Sequence, residues 1–190
     1  MYSLPYQERK SSAFTLIELL ISITILGILT TIVLGGFKSS QIRSRDAKRK
    51  SDLKQIANAL EMFYSDKGFY PAYDSSRGKI QACPYNSDTG VGSDCEWGSG
   101  EFRETSGGNT RVTYFKSLPK DPSGLSYYYR QVSGGKGFQL YAHLENEKDP
   151  NCIDSNCSTA PLLPTGVMCS DFCNFAITSP NVTPKTDNLP

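Results

Sequence analysis

The chain has 190 residues, enough for one compact domain or one domain with an appendage. Its 38% hydrophobic and 21% charged residues, with a net charge of +1, exclude a uniformly basic nucleic-acid binder and an acidic disordered chain. A single histidine, His143, excludes a multi-histidine metal site.

Residues 1–13 are a short polar leader carrying Glu8, Arg9 and Lys10. Residues 14–36, FTLIELLISITILGILTTIVLGG, follow as 23 residues with one ionisable side chain, Glu18. The overall mean hydropathy of -0.39 therefore makes the rest of the chain distinctly polar. As a helix the apolar run reaches roughly 34 Å, enough to cross a hydrocarbon core of ~30 Å. One reading is a cleaved secretory signal, with Val33 and Gly35 at the cleavage site. The other is a retained anchor. The run exceeds the roughly 7–15 apolar residues of a signal core, which favours the anchor.

Helical patterning continues past the run. Ile42, Leu53, Ile56, Leu60 and Phe63 recur at spacings that place them on one stripe, and no proline interrupts 14–66. The pattern predicts one continuous helix, apolar all round over 14–36 and amphipathic over 37–66. Gly35-Gly36 should soften the junction. A carboxylate at bilayer depth is costly. Glu18 either reaches water at the interface or needs a positive partner inside an apolar assembly.

Ala13-Phe14-Thr15-Leu16-Ile17-Glu18, after the leader, resembles the processing site of type IV prepilins and pseudopilins. The resemblance implies cleavage between Ala13 and Phe14 by a prepilin peptidase, with N-methylation of Phe14. It makes Glu18 the carboxylate that pairs with the terminal amine of a neighbouring subunit. Ala13 stands where the family usually has glycine, and Gly35-Gly36 stand where many pilins carry a proline. A second stretch, from Asp52-Leu53 through Asn58-Ala59-Leu60-Glu61-Met62-Phe63-Tyr64 to Asp66, Gly68 and Tyr70-Pro71, is similar to the end of the long helix in major pseudopilins of type II secretion. Leu118-Pro119-Lys120-Asp121-Pro122 resembles a turn of the same family.

Residues 37–54 hold seven basic side chains (Lys38, Arg43, Arg45, Lys48, Arg49, Lys50, Lys54) against Asp46 and Asp52, a net +5. The positive-inside rule alone would keep this side in the cytoplasm. The leader and the cysteines argue instead for a cytoplasmic N-terminus and an exported C-terminal part. The basic cluster reads as a solvated helix face, or as a contact for acidic neighbouring subunits or anionic lipid headgroups. With no aromatic residues interleaved, it does not read as a nucleic-acid site.

Gly68 and Pro71 end the long helix. Residues 74–110, rich in Ser, Gly and Asp, read as a long loop that Cys83 and Cys95 would close. Residues 110–116 suit a strand or a short helix. Residues 126–132 and 137–144, around a Ser-Gly-Gly-Lys turn, are the clearest β-hairpin. Phe138, Leu140, Ala142 and Leu144 should pack on Ile56, Leu60 and Phe63. Tyr127 to Tyr129 read as sheet packing. Residues 178–190 read as a disordered tail.

Six cysteines in an exported domain read as disulfides. Cys83–Cys95 is the first pair. Cys152, Cys157, Cys169 and Cys173 admit three pairings, or a four-thiolate zinc site that oxidation would oppose. Asp121, Asp149 and Asp154 are candidate calcium ligands, as in the loops of major pseudopilins, although the cysteine-rich segment replaces the acidic loop expected of that family. No other metal or cofactor is implied.

No catalytic motif is present, and Glu145 with Glu147 read as solvated charges. The expected fold is α+β: a long N-terminal helix, membrane-spanning in its first half, packed on a small antiparallel sheet with a disulfide-rich loop region. Residues 67–177 would form a pilin-like globular domain. The expected function is structural: a filament subunit of a type II secretion pseudopilus or a type IV pilus. It would sit as a single-pass protein in the inner membrane with its C-terminal domain exported. The resemblance implies as partners copies of itself, minor pseudopilins, the prepilin peptidase and an inner-membrane assembly platform. The alternative is a signal-anchored exported binding domain or enzyme that acts without polymerising.

Overall fold

The computed structural model describes residues 14–185, without the side chains of 32–36. The leader, including Ala13, and the last five positions of the expected tail lie outside the described residues. The chain divides into two compact units, Met1–Gln41 and Ile42–Pro190. Helix α1, Leu16–Lys67, runs through 52 residues of both.

Over residues 14–31 of the first unit the apolar side chains face outward. Leu16 is 82% exposed, and Ile17, Leu19, Leu20, Ile21, Ile23, Ile25, Leu26, Ile28 and Leu29 are all exposed. Thr24, Thr30 and Thr31 turn their hydroxyls back onto helix carbonyls three or four residues earlier, so they add no unsatisfied donor to this surface. Among the described residues no helix is long and apolar enough to cross a membrane. The side chains of 32–36, which complete the apolar run, lie outside the described residues.

The second unit is built on the amphipathic part of α1. Leu53, Ile56, Ala57, Ala59, Leu60 and Phe63 are buried, at the helical spacing the sequence dictates. The helix stops where Gly68 takes φ +77° and its N–H returns to the Tyr64 carbonyl at 2.7 Å. Glycine adopts that left-handed conformation without a Cβ penalty.

Residues 74–110 do not form the long loop expected from their polarity. They supply strands β1 (Tyr73–Asp74), β2 (Lys79–Asn86), β3 (Val91–Asp94) and β4 (Phe102–Ser106). With β5 (Asn109–Phe115) these make a five-stranded sheet in the order β1-β2-β4-β5, with β3 paired to β2. The β2–β4 pairing is parallel, so this sheet is mixed. Its inward side chains are few but large: Ile80, Tyr85, Phe102 and Tyr114. Phe63 meets the last three at ring-centroid distances of 5.2, 5.4 and 5.2 Å. Each such buried side chain stabilises the unit by roughly 1.5–3 kcal/mol, which compensates for the polar outer positions.

The expected hairpin forms β6 (Tyr128–Val132) and β7 (Gly137–Ala142). A third strand, β8 (Phe175–Thr178), pairs antiparallel to β7. Gly78 ties the two sheets, its carbonyl accepting from the Tyr129 N–H at 2.8 Å. A Cβ at Gly78 would collide with the Tyr128 ring.

Strand β7 is buried along its whole length. Phe138, Leu140 and Ala142 join the main core with Ile56, Leu60 and Phe63. On the other face Tyr141 joins Tyr128, Ile153, Cys169 and Cys173. The cysteine-rich segment thus forms the cover of the three-stranded sheet. The start of the expected disordered tail is part of the same layer. Val182 and Ser179 are buried, and the Thr183 and Pro184 carbonyls accept from Gln139 Nε2 and the Tyr141 hydroxyl at 2.7 and 2.6 Å. Pairing the buried Gln139 Nε2 and the Tyr141 hydroxyl gives these residues a place in the layer.

Candidate assembly site

Two clusters collect the charged residues singled out above. The first lies at the start of α1. Phe14 is exposed. Thr15 donates to Glu18 Oε2 through both its backbone N–H, at 2.9 Å, and its hydroxyl, at 2.6 Å, and the Glu18 N–H returns to Thr15 Oγ1 at 3.3 Å. This is a reciprocal helix cap, Thr-x-x-Glu, in which Thr15 closes the helix end and Glu18 reaches back over the first turn. Glu18 Oε1 has no hydrogen bond among the described residues. The arrangement fixes one carboxylate oxygen by local bonds and leaves the other pointing to the outside of an apolar helix.

The second cluster corrects the reading of residues 37–54 as a solvated face for Arg45, Arg49 and Lys50, while Lys38, Arg43, Lys48 and Lys54 stay exposed. Arg49 is fully buried. Its guanidinium meets Asp121 through Nε at 2.6 Å and Nη2 at 3.1 Å, Asp46 through Nη1 at 2.7 Å, and Glu145 through Nη2 at 2.7 Å. Arg45 grips Glu145 with Nε at 2.9 Å and with Nη2. Lys50 pairs with Asp149 at 2.6 Å, and Lys48 with Asp52 at 3.0 Å. Asp52 also accepts from the buried Tyr127 hydroxyl at 2.9 Å. Asp46 accepts the backbone N–H groups of Glu145 and Asn146 at 3.0 and 2.8 Å, so it clamps the segment that leaves β7.

The electrostatics follow from this geometry. Burial opposes the charge on Arg49, but its bonds to Asp121, Glu145 and Asp46 outweigh that penalty and raise its pKa. The Arg45 guanidinium leads in holding Glu145 down at about 2, against the opposing effect of burial. Burial works against the charge on Asp149 as well, and Lys50 with the Asn151 N–H lowers its pKa below the ordinary value. Burial, then the Asp52 carboxylate, pushes the Tyr127 hydroxyl far up.

The three candidate calcium ligands are not brought together. Asp121 faces Arg49, Asp149 faces Lys50 and Asp154 faces Lys185. Among the described residues no group of three or more acidic, histidine or cysteine side chains is placed to hold a metal ion. The six cysteines form the disulfides Cys83–Cys95, Cys152–Cys157 and Cys169–Cys173, which leaves no thiolate for zinc. His143 bonds the Phe172 carbonyl through Nδ1 at 2.8 Å and packs edge-on against the Phe172 ring. Glu145, read as a solvated charge, is a central member of the buried network.

Residues 9–34 match the prokaryotic N-terminal methylation motif. The chain is 32% identical over 129 residues to the type II secretion system core protein G of Vibrio cholerae, covering 68% of this chain and 76% of that one. It is 33% identical over 137 residues to the core protein G of Pseudomonas aeruginosa, covering 72% and 84%. The chain belongs to the type II secretion core protein G family. A shorter similarity, 36% over 69 residues, relates it to the type IV major pilin PilA of Myxococcus xanthus, covering 36% of this chain and 31% of the pilin. No solved structure matches. As a core protein G family member, the chain carries its methylation motif across the same residues that form the Thr15–Glu18 cap. The sequence motif gives Glu18 a role and Thr15 none. The signal for it was present, since Thr-x-x-Glu before an apolar run is a helix-start signature.

Proposed function

We propose that the chain is a structural filament subunit, cleaved before Phe14 by a prepilin peptidase and assembled into a type II secretion pseudopilus or a type IV pilus. Before assembly residues 14–36 hold it in the inner membrane, with the second unit exported. Minor pseudopilins and a membrane assembly platform are the further partners this reading implies. The observation that carries it is the state of residues 14–31: an outward apolar surface interrupted by one carboxylate that the described residues bind through a single oxygen. Copies of the helix can bury that surface against one another, and the terminal amine created at Phe14 supplies a cation for Glu18 in low dielectric. A contact that joins the end of one subunit to the flank of the next does not close on itself, so it propagates as a fibre.

Mass spectrometry of the mature protein should find N-methylphenylalanine as residue one, derived from Phe14. Glu18→Ala should abolish fibres while the membrane-held subunit persists. An N-terminus at Gly36, or fibres assembled normally by Glu18→Ala, would return the chain to the exported domain that acts alone.

A further inference from the structure

The ion pairs of the second unit leave a remainder. Of the seven basic side chains in 37–54, Arg45, Lys48, Arg49 and Lys50 have acidic partners. Arg43 has none among the described residues, and neither does Lys148. These two cations come together, lining one concavity of about 410 Å³ with Lys50 and Asn146. The acids at its wall are already engaged. Asp46 spends Oδ1 on Arg49 and the Glu145 N–H, and Oδ2 on the Asn146 N–H. Asp149 spends both oxygens on Lys50, and Oδ1 again on the Asn151 N–H. The concavity is therefore lined by three cations, Arg43, Lys50 and Lys148, against two carboxylates, Asp46 and Asp149, and it exposes the guanidinium and the ammonium that have no ion-pair partner among the described residues.

We propose that Arg43 and Lys148 bind the phosphate of an anionic phospholipid headgroup. A phosphodiester supplies the negative charge this concavity lacks, and its non-bridging oxygens suit a planar guanidinium beside an ammonium. The choice of a lipid over free phosphate comes from the chain itself. Arg43 follows Gly36, the end of the apolar run, by seven residues of the same helix, with exposed Phe37 and the further cation Lys38 between them. Basic groups beside a membrane segment are attracted to anionic leaflets. The inference rests on the membrane-anchored state proposed above. It also gives the excess basic charge on the exported side a role: the bound headgroup holds the subunit at the bilayer until it enters the fibre.

Native mass spectrometry of the full chain in detergent, offered equal amounts of phosphatidylglycerol and phosphatidylcholine, tests this. Phosphatidylglycerol should be retained over phosphatidylcholine by about tenfold. R43Q/K148Q should bring the two lipids to near parity, and the charge-conserving R43K/K148R should keep the preference. K116Q/K120Q, which removes two cations elsewhere, should keep it too. Parity in the unsubstituted chain, or a preference that survives R43Q/K148Q, would overturn the proposal. Release of the retained lipid by excess inorganic phosphate would assign the site to a free anion and overturn the choice of a lipid. A chain that stays soluble without detergent and retains neither lipid would instead refute the membrane-anchored state itself.

Discussion

At the start of α1, the Glu18 carboxylate is bonded, among the described residues, only to Thr15, three residues away, and the apolar side chains around it are exposed. At Arg49, on the same helix, every side-chain bond reaches an acid or hydroxyl of its own unit, and the guanidinium has no exposure. The two charges solve one problem by different routes. Arg49 gathers its counter-ions by folding, bringing Asp121 from 72 positions away. Glu18 does not, because residues 14–31, the described residues around it, offer hydroxyls but no cation. A charge satisfied from within holds a fold together. One left half-satisfied on an apolar surface is completed by another molecule.

The contrast breaks most visibly at Arg49. Arg49→Ala would leave Asp46 and Asp121 buried without their shared cation. Removing one member of a buried ion network costs on the order of 3–5 kcal/mol. Urea unfolding followed through Trp97, the only tryptophan, should report a loss of that size. Glu18→Ala, measured alongside, should leave the midpoint of the second unit unchanged. Equal loss from both substitutions would show that the division of roles between the two charges is wrong.

Much of the frame was legible in the sequence. The stripe Leu53, Ile56, Leu60 and Phe63 is a core face because its spacing matches the helix, and it is buried as that spacing requires. The β6–β7 hairpin announced itself through Tyr127-Tyr128-Tyr129 and the Ser-Gly-Gly turn. Of the five-stranded sheet only β5, where residues 110–116 suit a strand, was legible. In β2 only Ile80, Ala82 and Tyr85 are buried, and the β2–β3 pairing slips between Gln81 and Tyr85, which breaks the alternation that marks a strand. The Arg49 network was invisible for a different reason. Its members are polar, and sequence spacing carries no sign that Arg45 and Glu145, 100 positions apart, will meet. Local periodicity reveals faces of elements. Long-range ion pairs depend on topology, which periodicity does not encode.

Acid sharpens the comparison at intermediate strength. Glu145 titrates at about 2 in the folded chain against an ordinary value of 4.5. A lowered folded pKa means that the contribution is fully present above the ordinary value and disappears as pH falls toward 2. The shift corresponds to no more than about 3 kcal/mol. Melting temperature should therefore drop between pH 5 and pH 3, and Glu145→Gln should flatten part of that slope while lowering the plateau at neutral pH. Asp149 and Glu104 are also held low, against burial, by Lys50 and Lys67, and contribute to the slope that remains. An unchanged slope in Glu145→Gln would remove Glu145 from the network that holds the second unit.

The smallest effect belongs to Thr15. Its hydroxyl donates to Glu18 Oε2 and accepts the Glu18 N–H, so it both starts the helix and fixes the carboxylate. Thr15→Val keeps the shape of the side chain and removes the hydroxyl. A lost N-cap costs about 1 kcal/mol at a helix start. Fibre yield should fall several-fold rather than vanish, because the carboxylate survives but is no longer held in one orientation. Thr15→Ser restores the hydroxyl and should restore the yield, with the melting of the second unit the same in all three proteins. If Thr15→Ser behaves like Thr15→Val, the methyl group matters instead, and the role of Thr15 is packing against a neighbouring helix rather than holding Glu18. Rescue by serine would place both partners of the cap in the assembly contact and leave Arg49 to the fold.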